Sequence, residues 1–95
     1  MKWFAGGKDR KAEAVKIIEK LLLDLQNNDN NRPLEDVLIN YKNEIINESS
    51  SIPLILNRMD LEISKTIRNY GIELSDMETK EIKDLMTLSN IRYGY

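Results

Sequence analysis

The run from Ile52 to Tyr70 constrains this chain more than any other stretch. Ile52, Ile55, Leu56, Met59, Ile63, Ile67 and Tyr70 recur at three- and four-residue spacing, which is the period of one face of an α-helix. Ser51 is a candidate N-cap, and Pro53 falls in the first turn, where its missing N–H costs nothing. Arg68 lies in the last turn, where a cation complements the helix dipole, and Gly71 suits the left-handed position that ends a helix. A second start follows at once. Ser75 and Glu78 have capping-box spacing, in which each side chain satisfies an orphan backbone N–H. Ile82, Leu85 and Met86 then make a short apolar stripe, with Met77 or Ser89 at its ends. The pattern predicts helices over 52–70 and 76–88, folded against each other as an antiparallel hairpin.

The first half supplies two more stripes. Ala14, Ile17, Ile18, Leu21, Leu22 and Leu25 predict a helix over 9–26, with Asp9 as its N-cap. Leu34, Val37, Leu38, Tyr41 and Ile45 predict another over 33–47, with Pro33 in its first turn and Glu35 and Asp36 near its positive end. The polar runs Asn27–Asn31 and Ser49–Ser51 favour turns, because Asn, Asp and Ser side chains compete for nearby backbone groups. Each stripe needs a partner to leave water. The connections are short, which favours antiparallel neighbours. The expectation is all-α: a single domain over 1–95, folded as an antiparallel up-down-up-down four-helix bundle. The tail at 90–95 has no periodicity and is expected to be loose.

Composition narrows the function. The 95 residues contain no Cys and no His. Disulfides, thiolate nucleophiles, Cys/His zinc sites and a histidine base are therefore excluded. A secreted domain this small usually carries disulfides, so a cytoplasmic location is expected. The longest strictly apolar run is Leu21-Leu22-Leu23, far short of the roughly 20 residues that span a bilayer. The opening Met1–Gly7 is too short in apolar character for a signal peptide, so the chain is expected to stay where it is made. The net charge of −2 argues against a nucleic-acid binder, which needs a basic footprint.

Little points to catalysis. Glu35 and Asp36 point in different directions on a helix, and Glu78 and Glu81 read as part of a solvated acidic face. Asn27–Asn31 is rich in oxygen but lacks EF-hand spacing, and Gly6-Gly7-Lys8 lacks the spacing of a phosphate loop. No nucleophile has a base to activate it. An enzyme, a cofactor, a metal and a small-molecule substrate are accordingly not expected. Two features suit binding. Trp3-Phe4 sits among Lys2, Lys8, Arg10 and Lys11, a combination that either meets an anionic membrane surface or partner groove, or folds back to cap the bundle. The tail offers Ile91, Arg92, Tyr93 and Tyr95, types enriched at interface hot spots. The alternative is that this terminus is disordered or packs over the last two helices. Met59, Met77 and Met86 read as core filler.

The segment from Ile52 to Ser89 resembles the enterocin A immunity family, whose members protect producers of pediocin-like (class IIa) bacteriocins. The similar features are Pro53-Leu54 leading into Asn57-Arg58-Met59, then Ile72-Glu73-Leu74-Ser75, with Leu85 and Leu88 on the last helix. The opening Lys2-Trp3-Phe4-Ala5-Gly6-Gly7-Lys8-Asp9-Arg10 is similar to that of some streptococcal members. The resemblance implies a four-helix bundle that acts from the cytosol. Its implied partner is the bacteriocin-bound mannose phosphotransferase permease, with peripheral contact at the inner face of the membrane. In the family the C-terminal half governs which bacteriocin is countered. Here that half is 52–95, and the candidate partner-binding residues are Arg68, Tyr70, Ile91, Arg92, Tyr93 and Tyr95. The tail is short compared with many members. The competing expectation is a regulatory or adaptor bundle that binds another cytosolic protein.

Overall fold

The computed structural model describes residues 7–89. Four α-helices follow in order: α1 (Gly7–Leu25), α2 (Arg32–Asn47), α3 (Ile52–Tyr70) and α4 (Asp76–Ser89). A 3-10 turn at Asp29–Asn31 leads into α2. Each helix packs on its neighbours in sequence, α4 returns against α1, and the diagonal pair α1 and α3 touch little. Ion pairs set the register. Lys11, early in α1, meets Glu48 just past α2 at 2.7 Å, whereas Glu19, further along α1, meets Lys42, earlier in α2, at 3.3 Å. As one helix advances the other retreats, which is the expected antiparallel arrangement.

The predicted stripes form the core. Ala14, Ile18, Leu21 and Leu25 of α1 are fully buried, as are Leu34, Leu38 and Ile45 of α2. α3 contributes Ile55, Leu56, Met59 and Ile63, and α4 contributes Leu85. Met59 is fully buried and the partly buried Met86 packs against the core, whereas Met77 is 59% exposed, so the core-filler reading fails at Met77.

Helix ends follow local chemistry. The Ser75 hydroxyl accepts from Glu78 N–H at 3.1 Å, and Glu78 accepts from Ser75 N–H at 2.9 Å, so the capping box is complete. At Gly71 (φ 60°) the chain turns left-handed, and Ile72 N–H reaches back to Ile67 O at 3.0 Å. α2 ends the same way on Glu48 (φ 50°), with Ser49 N–H donating to Glu44 O at 3.2 Å. That end carries no glycine signal. Ser51 occupies the N-cap of α3 as expected, but its hydroxyl makes no capping bond.

Three expectations are corrected, and the burial of one polar side chain, Asn31, was not foreseen. α1 begins at Gly7, which puts Asp9 inside the first turn instead of at the cap. Tyr70 lies at the last residue of α3 and is 65% exposed, whereas Thr66, 7% exposed, is buried one turn earlier. Asn31 is 3% exposed despite its polar run, and its side-chain amide donates to Leu25 O at 3.2 Å, closing the end of α1. Glu81 is 6% exposed and not part of a solvated face. Trp3, Phe4 and the expected loose tail lie outside the described residues.

Candidate functional site

Of the six candidate binding residues, the structure describes two, and Ile91, Arg92, Tyr93 and Tyr95 lie outside it. Arg68 and Tyr70 share the last turn of α3, and both side chains are exposed. The tyrosine ring stands between two open clefts at one end of the bundle. One, of about 520 Å³, is bordered by Asn28, Asp29, Asn30 and Glu73. The other, of about 460 Å³, runs between α2 and α3 past Asp36, Glu62 and Lys65. Polar groups and a single large aromatic make this a surface suited to recognition. No nucleophile and base meet there.

Two seams of the bundle hold charged groups that the sequence did not pair. At the rim between α2 and α3, Arg58 grips Glu44 with both ends of its guanidinium, at 3.0 and 3.3 Å. The same guanidinium lies 5.6 Å from the centre of the Tyr41 ring, a cation–π distance. Its hydrogen bond to Glu44 pushes the Arg58 pKa up. Burial raises the Tyr41 pKa, opposed by the neighbouring Arg58.

The seam between α1 and α4 is different. A groove of about 340 Å³ opens there, bordered by Glu13, Lys16, Ile17 and Lys20 on α1 and by Glu81 and Asp84 on α4. Neither Glu81 carboxylate oxygen has a hydrogen-bond donor, and one oxygen of Asp24 also lacks one. Lys20 Nζ is 3.6 Å from Glu81, beyond hydrogen-bond length. Burial pushes the Glu81 carboxyl above the usual carboxylate range, and the adjacent Asp24 adds to the effect. Lys20 opposes it. Two carboxyl groups, Glu81 and Asp24, thus share this seam with Lys20 as the nearby cation. The sequence signal for Glu81 was its place four residues after Met77 and four before Leu85, on the flank of the apolar stripe. Among the described residues no group of acidic side chains is arranged to hold a metal ion.

Comparisons with known proteins agree with this scaffold. Residues 9–90 match the model of the bacteriocin immunity protein family. The solution structure of PisI is 53% identical in sequence and superposes with a TM-score of 0.77, covering 100% of this chain and 97% of PisI. A crystal structure of an immunity protein that contributes to the self-protection of bacteriocin-producing Enterococcus mundtii 15-1A is 40% identical, with a TM-score of 0.79 over 84% of this chain and 96% of that one. A 9.1 kDa protein of Carnobacterium maltaromaticum, from the 3′ region of the BM1 immunity protein, is 41% identical over 78 residues, 82% of this chain and 96% of that protein.

Proposed function

Because this chain belongs to the bacteriocin immunity protein family, we propose that it protects its producer from a pediocin-like bacteriocin. The observation that carries the reading is the family match across 9–90, on a bundle that superposes with two relatives over most of their length. The proposed action is from the cytosol. The target is the complex between the bacteriocin and its receptor, the mannose phosphotransferase permease, with peripheral contact at the inner face of the membrane. What supports a cytosolic, non-spanning mode is that no helix among the described residues is long and apolar enough to cross a membrane. The job needs a stable scaffold and a presented surface, not a catalytic group, which fits the absence of any histidine or cysteine. The proposed recognition surface is the α3–α4 hairpin with its flanking tail, including Arg68, Tyr70, Ile91, Arg92, Tyr93 and Tyr95.

The test is protection. The chain is expressed in a sensitive strain, which is challenged with a panel of pediocin-like peptides. Selective survival against one or two peptides is expected. Undiminished killing, with the protein folded inside the cell, overturns the reading and favours an adaptor. Exchanging residues 52–95 with those of a relative of different spectrum is expected to move the protection with the exchanged half.

A further inference from the structure

α3 carries a second stripe, on the side away from the core. Leu54, Arg58, Leu61, Lys65 and Arg68 follow at four- and three-residue spacing. They fall within roughly 80° of helical arc and extend about 21 Å along the axis. All five are exposed, with Leu54 at 50% and Leu61 at 74%. The stripe contains three cations and no carboxylate. Arg58 is held in place by Glu44 and by the Tyr41 ring. Lys65 and Arg68 have no ion-pair partner among the described residues. Asn57 and Ser64, both exposed, run along one flank, so small polar side chains border the leucines there.

Exposed leucines cost little singly, but their spacing here is informative. Leu54 and Leu61 stand seven residues apart, two turns of helix, and Arg68 takes the next place in that repeat. Arg58 and Lys65 repeat with the same interval, offset by four. This is the layout of a helix–helix seam, with apolar contacts in the middle and charges alongside that select the partner. We propose that the outward face of α3 docks an acidic amphipathic α-helix of another protein, with leucine-type contacts at Leu54 and Leu61 and carboxylates opposite Lys65 and Arg68, Arg58 remaining with Glu44. The inference deepens the immunity reading and rests on it for the existence of a protein partner.

A lipid surface fits the same stripe less well. A bilayer has no seven-residue register to match. Three cations supply about 1 kcal/mol each near an anionic membrane, and the protein as a whole is net negative. A flat surface would also meet Glu44 and Glu62 beside the stripe, whereas a helix about 10 Å wide lies along the ridge between its flanks. The outer face of α2 exposes Ile39 and Ile46 at the same interval, but Asn43 between them is uncharged, and Arg32, Glu35 and Asp36 before them mix both signs, so no single-sign row lies alongside.

The probe is a synthetic helix with Leu at the seam positions and Glu beside them, titrated into the isotope-labelled full chain and followed by NMR. Shifts confined to residues 54–68 of the outer stripe are expected, together with binding at least about tenfold weaker for the doubly substituted Lys65→Glu, Arg68→Glu protein. A matching helix with Lys in place of Glu is expected to bind that variant and not the native chain. Shifts scattered over the bundle, or equal binding of both helices, overturn the proposal. So does flotation of the native chain, but not the variant, with phosphatidylcholine–phosphatidylserine vesicles when neither peptide binds. Both exchanged positions are exposed, so circular dichroism of the variant is expected to match the native spectrum. In cells, the variant is expected to lose protection that the native chain gives. If both protect equally, docking fails while immunity stands. If the native chain does not protect, immunity fails and the peptide titration alone decides the docking.

Discussion

The α2–α3 seam and the α1–α4 seam use the same kinds of residue to opposite effect. Between α2 and α3, Glu44 sits at the rim, its side chain 31% exposed, and takes two hydrogen bonds from Arg58. Between α1 and α4, the side chain of Glu81 is 8% exposed, with no donor and an acidic neighbour. The difference is depth. A carboxylate at the rim keeps water and a flexible cation within reach. Glu81, drawn toward the core, loses most of its water and keeps only a looser cation, Lys20 at 3.6 Å, so the same group becomes a cost. The apolar groups are unequal too. α3 buries Ile52, Ile55, Leu56, Met59 and Ile63, whereas α4 buries only Ile82 and Leu85. The fourth helix is therefore held by fewer contacts and carries the less favourable charge.

The largest effect should come from the apolar side of that contrast. Leu85→Ala is expected to cost about 2–5 kcal/mol, a large part of the stability of a domain this size. Leu56→Ala removes the same atoms from α3, where four other apolar side chains remain buried. Urea unfolding gives the totals, and native-state hydrogen exchange separates the seams. In the Leu85→Ala protein the α4 amides are expected to lose protection ahead of the rest. If α3 opens first, the two seams do not differ in the way described.

Glu81→Gln comes next. The amide can donate to Asp24 and carries no charge, so a gain of about 1–2 kcal/mol is expected at neutral pH. The sign follows from linkage. The folded chain holds the Glu81 proton more tightly than the unfolded chain, because its carboxyl is raised by burial and by Asp24. This contribution to stability is complete below the ordinary carboxylate range and is lost as pH rises through the raised value. Asp84 and Lys80 on α4, and Glu13, Lys16 and Lys20 on α1, share the surroundings, but only Glu81 is drawn under. Urea midpoints across the acidic range should show the advantage of Glu81→Gln shrinking as pH falls. A gain independent of pH would mean that Glu81 is ionised without penalty in the fold.

Much of this contrast was hidden in the sequence for a physical reason. Where a rule is local, the letters sufficed. Ser75 and Glu78 cap each other because their spacing alone brings side chain to backbone, and Gly71 ends α3 because it tolerates φ 60°. The bounds of α3 coincide with the expected 52–70. Burial at the edge of a stripe depends on the neighbouring helix and is not local. Glu81 flanks its stripe as Glu78 does, but α1 covers one and the cap claims the other. Tyr70 continues the period of α3 at its last residue, yet it is 65% exposed there. The outer stripe of α3 was also present in the letters, yet its leucines became informative only once their neighbours were known to lie inside. Arg68, a candidate from the sequence, belongs to that stripe, whereas Leu54, Leu61 and Lys65 carried no separate signal.

The smallest expected effect sharpens the comparison most, since it repeats one chemical change at the other seam. Glu44→Gln removes a charge from a solvent-reached pair, and exposed pairs contribute little because water and salt screen them. Arg58 keeps its place over the Tyr41 ring, and the amide oxygen still accepts one hydrogen bond from it. The expected outcome is a slight destabilisation that fades as salt screens the native pair. Glu44→Gln and Glu81→Gln should therefore differ in sign, in size and in their response to salt and acid. If Glu44→Gln instead destabilised the chain strongly, the rim of the α2–α3 seam would have to bury its carboxylate as deeply as the α1–α4 seam does. Depth would then no longer separate the two glutamates.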